Sequence, residues 1–312
     1  TAVRMHCSDR KEDKIMVGKQ ERRYQRMITV VLALISLIMV IPLVLLVVAS
    51  FTSNNEIVLH GYSFFPKELS LEAYRYIWNE RAQVFHAYGI TILVTAIGTT
   101  IGVMMTLLYA YVLAHEKFPG KTFLAFYLFF TMLFNGGLVP TYIMYTRYLH
   151  MKNTIPALII PGLLMRAFNV ILTRTYIQSN VPAALSEAAK IDGATEFQVF
   201  RKVVLPMCKP IIATVGLFAG LGYWNDWTNG LYYITDTNKF SIQQLLNNMI
   251  KNIEFLSKNA NSNINLASVG GGIPQETVRM AIAIVGLLPI LIVFPFVQKY
   301  FVKGISIGAV KG

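Results

Sequence analysis

Twenty-five consecutive residues, 27–51, carry no charged side chain, and no other feature of the chain restricts its folding so tightly. A helix of about 20 apolar residues crosses the roughly 30 Å hydrocarbon core of a bilayer. Further charge-free or nearly charge-free runs lie at about 87–114, 122–145, 154–177, 207–227 and 277–301. Six crossings are therefore expected, which puts both termini on one side. Hydrocarbon offers no partner to a backbone N–H or C=O, so only helices or closed barrels span it. These runs lack the alternation of barrel strands. The chain reads as an all-α membrane protein, and 54% apolar against 14% charged residues places it outside the range of water-soluble globules.

Lys and Arg accumulate on the cytoplasmic side of such proteins. Residues 1–26 hold eight: Arg4, Arg10, Lys11, Lys14, Lys19, Arg22, Arg23 and Arg26. With that basic segment inside, the other inner pieces add two in 115–121, five in 173–209 and three in 299–312. The outer loops, similar in total length, hold eight. Both termini are thus expected in the cytoplasm. The net charge of +12 follows from this topology and from attraction to anionic lipid, and argues little for nucleic acid. Cys7 and Cys208 fall on the reducing side, where no disulfide is expected. The run at 27–51 follows 26 mostly polar residues without a small-residue cleavage site, so it reads as an anchor rather than a removable signal.

The loops 115–121, with Pro119-Gly120, and 146–153 are short enough only for tight reversals. Three connections can carry structure of their own: 52–86 and 228–276 outside, and 178–206 inside. No internal repeat is visible, which weakens an inverted-repeat transporter. Gly98-x-x-x-Gly102 and Gly216-x-x-x-Gly220 would let a neighbouring helix approach closely, either within the chain or on a partner.

Within 178–206 the residues describe a bent pair of short helices. Asn180 suits an N-cap, and Pro182 is tolerated in a first turn. Gly193 can adopt the left-handed conformation that ends a helix, and Thr195 with Gln198 forms a capping-box pattern that starts another. The second helix runs to Leu205-Pro206. Leu185, Ala188, Ala189 and Asp192 share one small, shallow face flanked by Glu187, a surface suited to a partner's groove.

Glu187-Ala188-Ala189, Asp192-Gly193-Ala194 and Val203-x-Leu205-Pro206 resemble the EAA loop of ABC-importer permease subunits. Val203 stands where isoleucine is more usual. The tail from Gln298 to Gly312 resembles that of maltose-type carbohydrate permeases. Asn135-Gly-Gly-Leu-Val-Pro140 and Gly222-Tyr-Trp-Asn-Asp-Trp227 resemble the subgroup importing complex oligosaccharides. The resemblance implies the type I ABC importer permease fold. It implies coupling helices that dock on a cytoplasmic ATPase through Glu187, Ala188, Ala189, Asp192, Gly193, Ala194, Leu205 and Pro206. It also implies a second, related permease subunit, two ATPase subunits, an extracellular solute-binding protein and a carbohydrate cargo. ATP and Mg would sit on the ATPase partners, with no cofactor on this chain.

No Gly-x-x-x-x-Gly-Lys-Ser/Thr phosphate loop, Gly-x-Ser-x-Gly elbow or His-Glu-x-x-His occurs, so neither ATP hydrolysis nor intramembrane catalysis is expected of the chain. The histidines at 6, 60, 86, 115 and 150 lack metal-ligand spacing and read as surface or interfacial. Polar residues at bilayer depth are costly, which marks Asn135, Arg166 and Asn169 as pathway candidates, with structural packing of Arg166 the competing account. Tyr223, Trp224, Asn225 and Trp227 supply faces and amides suited to a sugar, although an interfacial aromatic belt has the same composition. The outer loop 228–276, with its Asn-rich 259–265 and Gly270-Gly-Gly272, is either a solvated linker or a probe reaching the binding protein. An amino-acid or phosphate-ester permease, or a membrane scaffold that moves nothing, is the alternative function.

Overall fold

The computed structural model describes residues 2–115, 118–259 and 275–309. Among them the regular structure is helical, with one isolated β-bridge between Thr52 and Leu69 and no strand. The chain divides into two units, one of residues 1–75 and 273–284, the other of 76–272 and 285–312.

The first unit is dominated by α1 (Ala2–Ser50). From Arg23 to Leu43 every described side chain on this helix is exposed, on all sides. A helix apolar around its whole circumference is soluble only in hydrocarbon or against other apolar helices. Its C-terminal end is tied down by polar contacts. Phe51 stacks on Tyr74 at 4.8 Å, Ser50 Oγ lies 2.8 Å from the Tyr74 hydroxyl, and Ser70 N–H donates to the Phe51 carbonyl at 2.8 Å. α2 (Asn54–His60) follows, and the carboxylate of its Glu56 accepts the backbone N–H groups of Lys67 and Glu68, each at 2.7 Å. Those two donors hold the Glu56 carboxyl below its ordinary range. α3 (Glu72–Asn79) closes this stretch of chain.

The second unit is built around α4 (Arg81–Ala114). Its buried residues Val84, Ala87, Thr91, Val94, Gly98, Gly102, Thr106, Ala110 and Leu113 recur every three or four positions and so form one stripe. α12 (Lys209–Trp224) and α8 (Ala167–Asn180) pack on α4. A Cβ on Gly98 would overlap the ring of Tyr223, one on Gly102 would lie 2.6 Å from the Leu164 carbonyl oxygen, and one on Gly220 would lie 3.6 Å from Thr99 Oγ1. Both small-residue pairs thus serve close packing within the chain. Leu107, Ala110, Leu113, Val170, Val204 and Val215 belong to the core on this seam.

The expected third and fourth runs are not straight helices. α5 (Lys121–Leu133) is followed by α6 (Leu138–Ile143) and a π-helical turn, Met144–Tyr148, and the two limbs meet at 115°. Asn135-Gly-Gly is the cause: Gly137 has φ +82°, and Asn135 Oδ1 accepts its N–H at 2.9 Å. The run 154–177 is split into α7 (Pro156–Ile159) and α8, separated by Pro161, which has no N–H to donate, and Gly162 at φ +69°. α9 (Ala183–Ile191), α10 (Glu196–Val199) and α11 (Leu205–Met207) lead into α12, which bends 81° from the limb before it. Among the described residues, three helical stretches, at Arg23–Ser50, Arg81–Ala114 and Glu276–Val293, are individually long and apolar enough to cross a membrane, or five when each bent pair counts as one.

In its described part, 225–259, the connection after α12 is more ordered than a linker. α13 (Thr228–Tyr233) and α14 (Ile242–Asn259) occupy most of that part, and Ile242 N–H donates to Thr91 Oγ1 of α4 at 2.8 Å in a buried site. Residues 260–265 and Gly270 to Gly272 lie outside the described residues. α15 (Gln275–Ala309) completes the chain, and its Tyr88 contact, a hydroxyl donating to the Val285 carbonyl at 2.5 Å, ties its later part to α4.

Candidate functional site

The segment from α9 to α11 forms an elbow. Its first helix starts later than the sequence suggests: Asn180 ends α8, donating Nδ2–H to the Tyr176 carbonyl at 3.1 Å, and Pro182 takes the N-cap position of α9. The pyrrolidine has no N–H to lose there, so the preference for an early proline still applies. At the other end Gly193 adopts φ +84°, and the N–H of Ala194 returns to the Ala189 carbonyl at 2.9 Å. That left-handed residue ends the helix without a Cβ penalty. Thr195 then opens α10 with a complete capping box, its N–H donating to Gln198 Oε1 at 2.9 Å and its Oγ1 accepting from Gln198 N–H at 3.4 Å. A π-helical turn at Phe200–Val204 precedes Pro206, which cannot donate to the Lys202 carbonyl one helical turn back.

The two faces of the elbow differ. Ala189, Ala194, Val203 and Leu205 are half-buried and pack on the core of the second unit. Glu187, Ala188, Asp192, Gly193 and Pro206 are exposed. The outward surface also carries two large apolar side chains that the motif reading left out, Ile191 at 87% exposure and Phe197 at 66%, beside Leu185 at 47%. Ile191 lies three residues after Ala188, the helical spacing that would have placed it on the same face.

A polar cluster sits where the elbow meets the C-terminal end of α4. Lys190 Nζ pairs with Glu196 Oε1 at 2.5 Å, and Tyr111 donates its hydroxyl to Glu196 Oε2 at 2.9 Å. His115 Nε2 lies 3.2 Å from Lys190 Nζ and 3.8 Å from Glu196 Oε2. An ammonium only donates, so Nε2 accepts in this arrangement. The Tyr111 ring packs on Phe200 at 5.2 Å and edge-on to His115 at 4.9 Å. The Lys190 ammonium first, with the Tyr111 hydroxyl after it, holds the Glu196 carboxyl below its ordinary range. Spacing alone could not find this cluster, because 75 residues separate His115 from Lys190.

The pathway candidates are dispersed by the fold. Asn135 is exposed and its side chain closes the α5–α6 break. Arg166 is exposed at the N-cap of α8, where a Cβ on Gly222 would meet its Nη2 at 3.0 Å, and its charge acts on Tyr223 and Asp226. Asn169 is buried one turn into α8. Tyr223 is buried and donates to the Ile159 carbonyl at 3.0 Å, while Asn225 donates Nδ2–H to the Leu221 carbonyl at 3.0 Å. Trp224 Nε1 is buried without a hydrogen-bond partner among the described residues, and Trp227 is exposed. The fold therefore brings Arg166 to Gly222 and Tyr223 but leaves Asn135 with the α5–α6 turn.

Residues 98–307 match the family model described as "Binding-protein-dependent transport system inner membrane component". The chain is 35% identical to the polygalacturonan/rhamnogalacturonan transport system permease protein YtcP of Bacillus subtilis over 94% of its own length and 100% of that protein's. It is 26% identical to the arabinooligosaccharides transport system permease protein AraQ of Halalkalibacterium halodurans, covering 92% of this chain and 96% of the relative. A solved bacterial ABC transporter involved in the import of the acidic polysaccharide alginate contains a chain with TM-score 0.74 and 28% identity, covering 90% of this chain and 98% of that one.

Proposed function

Because the chain belongs to the family of binding-protein-dependent transport system inner membrane components, we propose that it is one translocation subunit of an ABC importer for oligosaccharide. The observation that carries this reading is the elbow at 183–206, held against the core on one face and exposed on the other within the matched region. Its outward face, with Leu185, Ala188, Ile191 and Phe197 around Gly193, docks on a cytoplasmic ATPase subunit. Hydrolysis of ATP with Mg belongs to two such partners, and this chain is not itself an enzyme. A second, related permease subunit completes the pathway, and an extracellular solute-binding protein delivers the cargo. The sugar polymers and oligosaccharides named for the relatives support a carbohydrate cargo.

The chain crosses six times with both termini in the cytoplasm, 154–177 crossing as a broken span. Contacts at the two ends of α4 support that sidedness. Near one end His86 Nε2 meets the Asn238 carbonyl at 2.7 Å, in the loop expected outside. Near the other, Tyr111 and His115 meet the segment expected inside. Arg166, Trp224 and Trp227 are the pathway candidates whose polar groups or ring faces are least absorbed by the fold.

Gly193→Val strains a left-handed turn and Glu187→Lys reverses the charge beside the docking face. Both variants are expected to insert in the membrane yet lose uptake of labelled oligosaccharide in the reconstituted importer. Normal uptake together with a normal cargo-stimulated ATPase rate in both would defeat the reading.

A further inference from the structure

We propose that Tyr111 and Glu196 are positioning residues that carry motion of the elbow sideways into α4, in parallel with the chain's direct path into α12. The proposal rests on the elbow being the ATPase-docking element. Lys190 stands in the last turn of α9 and Glu196 in the first turn of α10, so their ion pair bridges the two limbs across Gly193. Each charge also suits the dipole of the helix end it occupies. The same carboxylate takes the Tyr111 hydroxyl on its other oxygen. The elbow is thereby closed on itself and fastened to the end of α4, where the Tyr111 hydroxyl holds the carboxylate and His115 Nε2 lies 3.2 Å from the ammonium.

A covalent connection leads from α11 into α12, but it passes an 81° bend at Cys208. A force applied at α9 is transmitted poorly along the axis of a helix that turns away from it. Tyr111 provides a shorter route, touching Glu196 through its hydroxyl and the buried Phe200 through its ring. α4 carries the packing stripe against both α8 and α12, so a displacement at Tyr111 reaches the seam of the second unit. The titratable groups that face this point are Tyr111 and His115 from α4 and its end, Lys190 from α9, and Glu196 from α10.

The test uses the complete importer in proteoliposomes with its binding protein, reading oligosaccharide moved per ATP hydrolysed. Tyr111→Phe removes the hydroxyl and keeps the ring, and Glu196→Gln removes the charge and keeps the shape. Each is expected to lower that ratio by about twofold to fivefold, modest because the carboxylate and ammonium are solvent-accessible. The double variant is expected to be no worse than Glu196→Gln alone. ATPase subunits should co-purify with every variant as with the unmodified chain. An unchanged ratio in both single variants, or strictly multiplicative losses in the double, would overturn the proposal. Loss of ATPase association in the variants alone would also overturn it, by moving these residues into the docking surface. Failure of the unmodified chain to bind any ATPase would instead defeat the function on which the proposal stands.

Discussion

Gly98 and Tyr223 set the closest approach of α4 and α12, since any Cβ on Gly98 would overlap the phenol ring. Gly98→Leu is expected to destabilise the purified protein by about 1–3 kcal/mol, the range for overpacking a filled interior, read as a lower melting midpoint in detergent. Glu196 makes a prediction of the opposite kind, about charge. Its carboxyl is held below the ordinary value of 4.5, chiefly by Lys190. A depressed folded-state pKa contributes stability that is complete above the unfolded value and lost as pH falls through the folded one. The unmodified chain should therefore be more resistant to unfolding than Glu196→Gln at neutral pH, with the gap constant down to about 4.5 and closing in stronger acid. A gap that widens on acidification would contradict the assignment. Gly193 and the Thr195–Gln198 capping box were legible from sequence at this scale, because turning and capping are local patterns. Ile191 was legible only through its spacing from Ala188 and Phe197 not at all, since a short motif says which residues recur and not which large side chains the fold leaves uncovered.

Helix breaks decide how the elements meet. Asn153, at φ +59°, accepts the N–H groups of Thr235 at 2.6 Å and Asp236 at 3.1 Å, and donates to Thr235 Oγ1 at 2.8 Å. This joins the short reversal at 146–153 to the segment after α13. Asn153→Ala loses those bonds and also strains the left-handed backbone, whereas Asn153→Gly loses the bonds alone. Faster amide exchange around Thr235 is expected in both, with the alanine variant losing about 1–2 kcal/mol more local stability. Equal protection in the unmodified chain and both variants would show that the loop is held by something else. Hydropathy placed α1, α4 and α15 well because a charge-free window of sufficient length needs no tertiary information. It misread 122–145 and 154–177 as single rods, because Asn135-Gly-Gly and Pro161-Gly162 are themselves uncharged and pass through an averaging window unseen.

At the level of the whole molecule, α1 is exposed on every side from Arg23 to Leu43. A charge placed there meets lipid or a partner's apolar helices. Leu37→Arg, in the middle of the apolar run, is expected to cost about 3–4 kcal/mol of insertion free energy and to lower the fraction of α1 that crosses in a translocon insertion assay. Unchanged insertion would argue that α1 lies along the interface. What the amino-acid order determined by itself is solvent, class and local punctuation: apolar length requires a bilayer, a bilayer requires helices, and glycine, proline and capping residues mark where helices stop. The bend at Gly193 was readable for the same reason, being a contiguous turn whose geometry is set by neighbours in the chain. The tertiary structure alone decided that Gly98 meets Tyr223 of α12 and Gly102 the Leu164 carbonyl, that Asn153 joins the reversal at 146–153 to the segment after α13, and that Tyr111 and His115 meet Lys190 and Glu196. These contacts join residues tens of positions apart, and the free energy that selects them comes from packing and pairing across space, which no window along the chain contains.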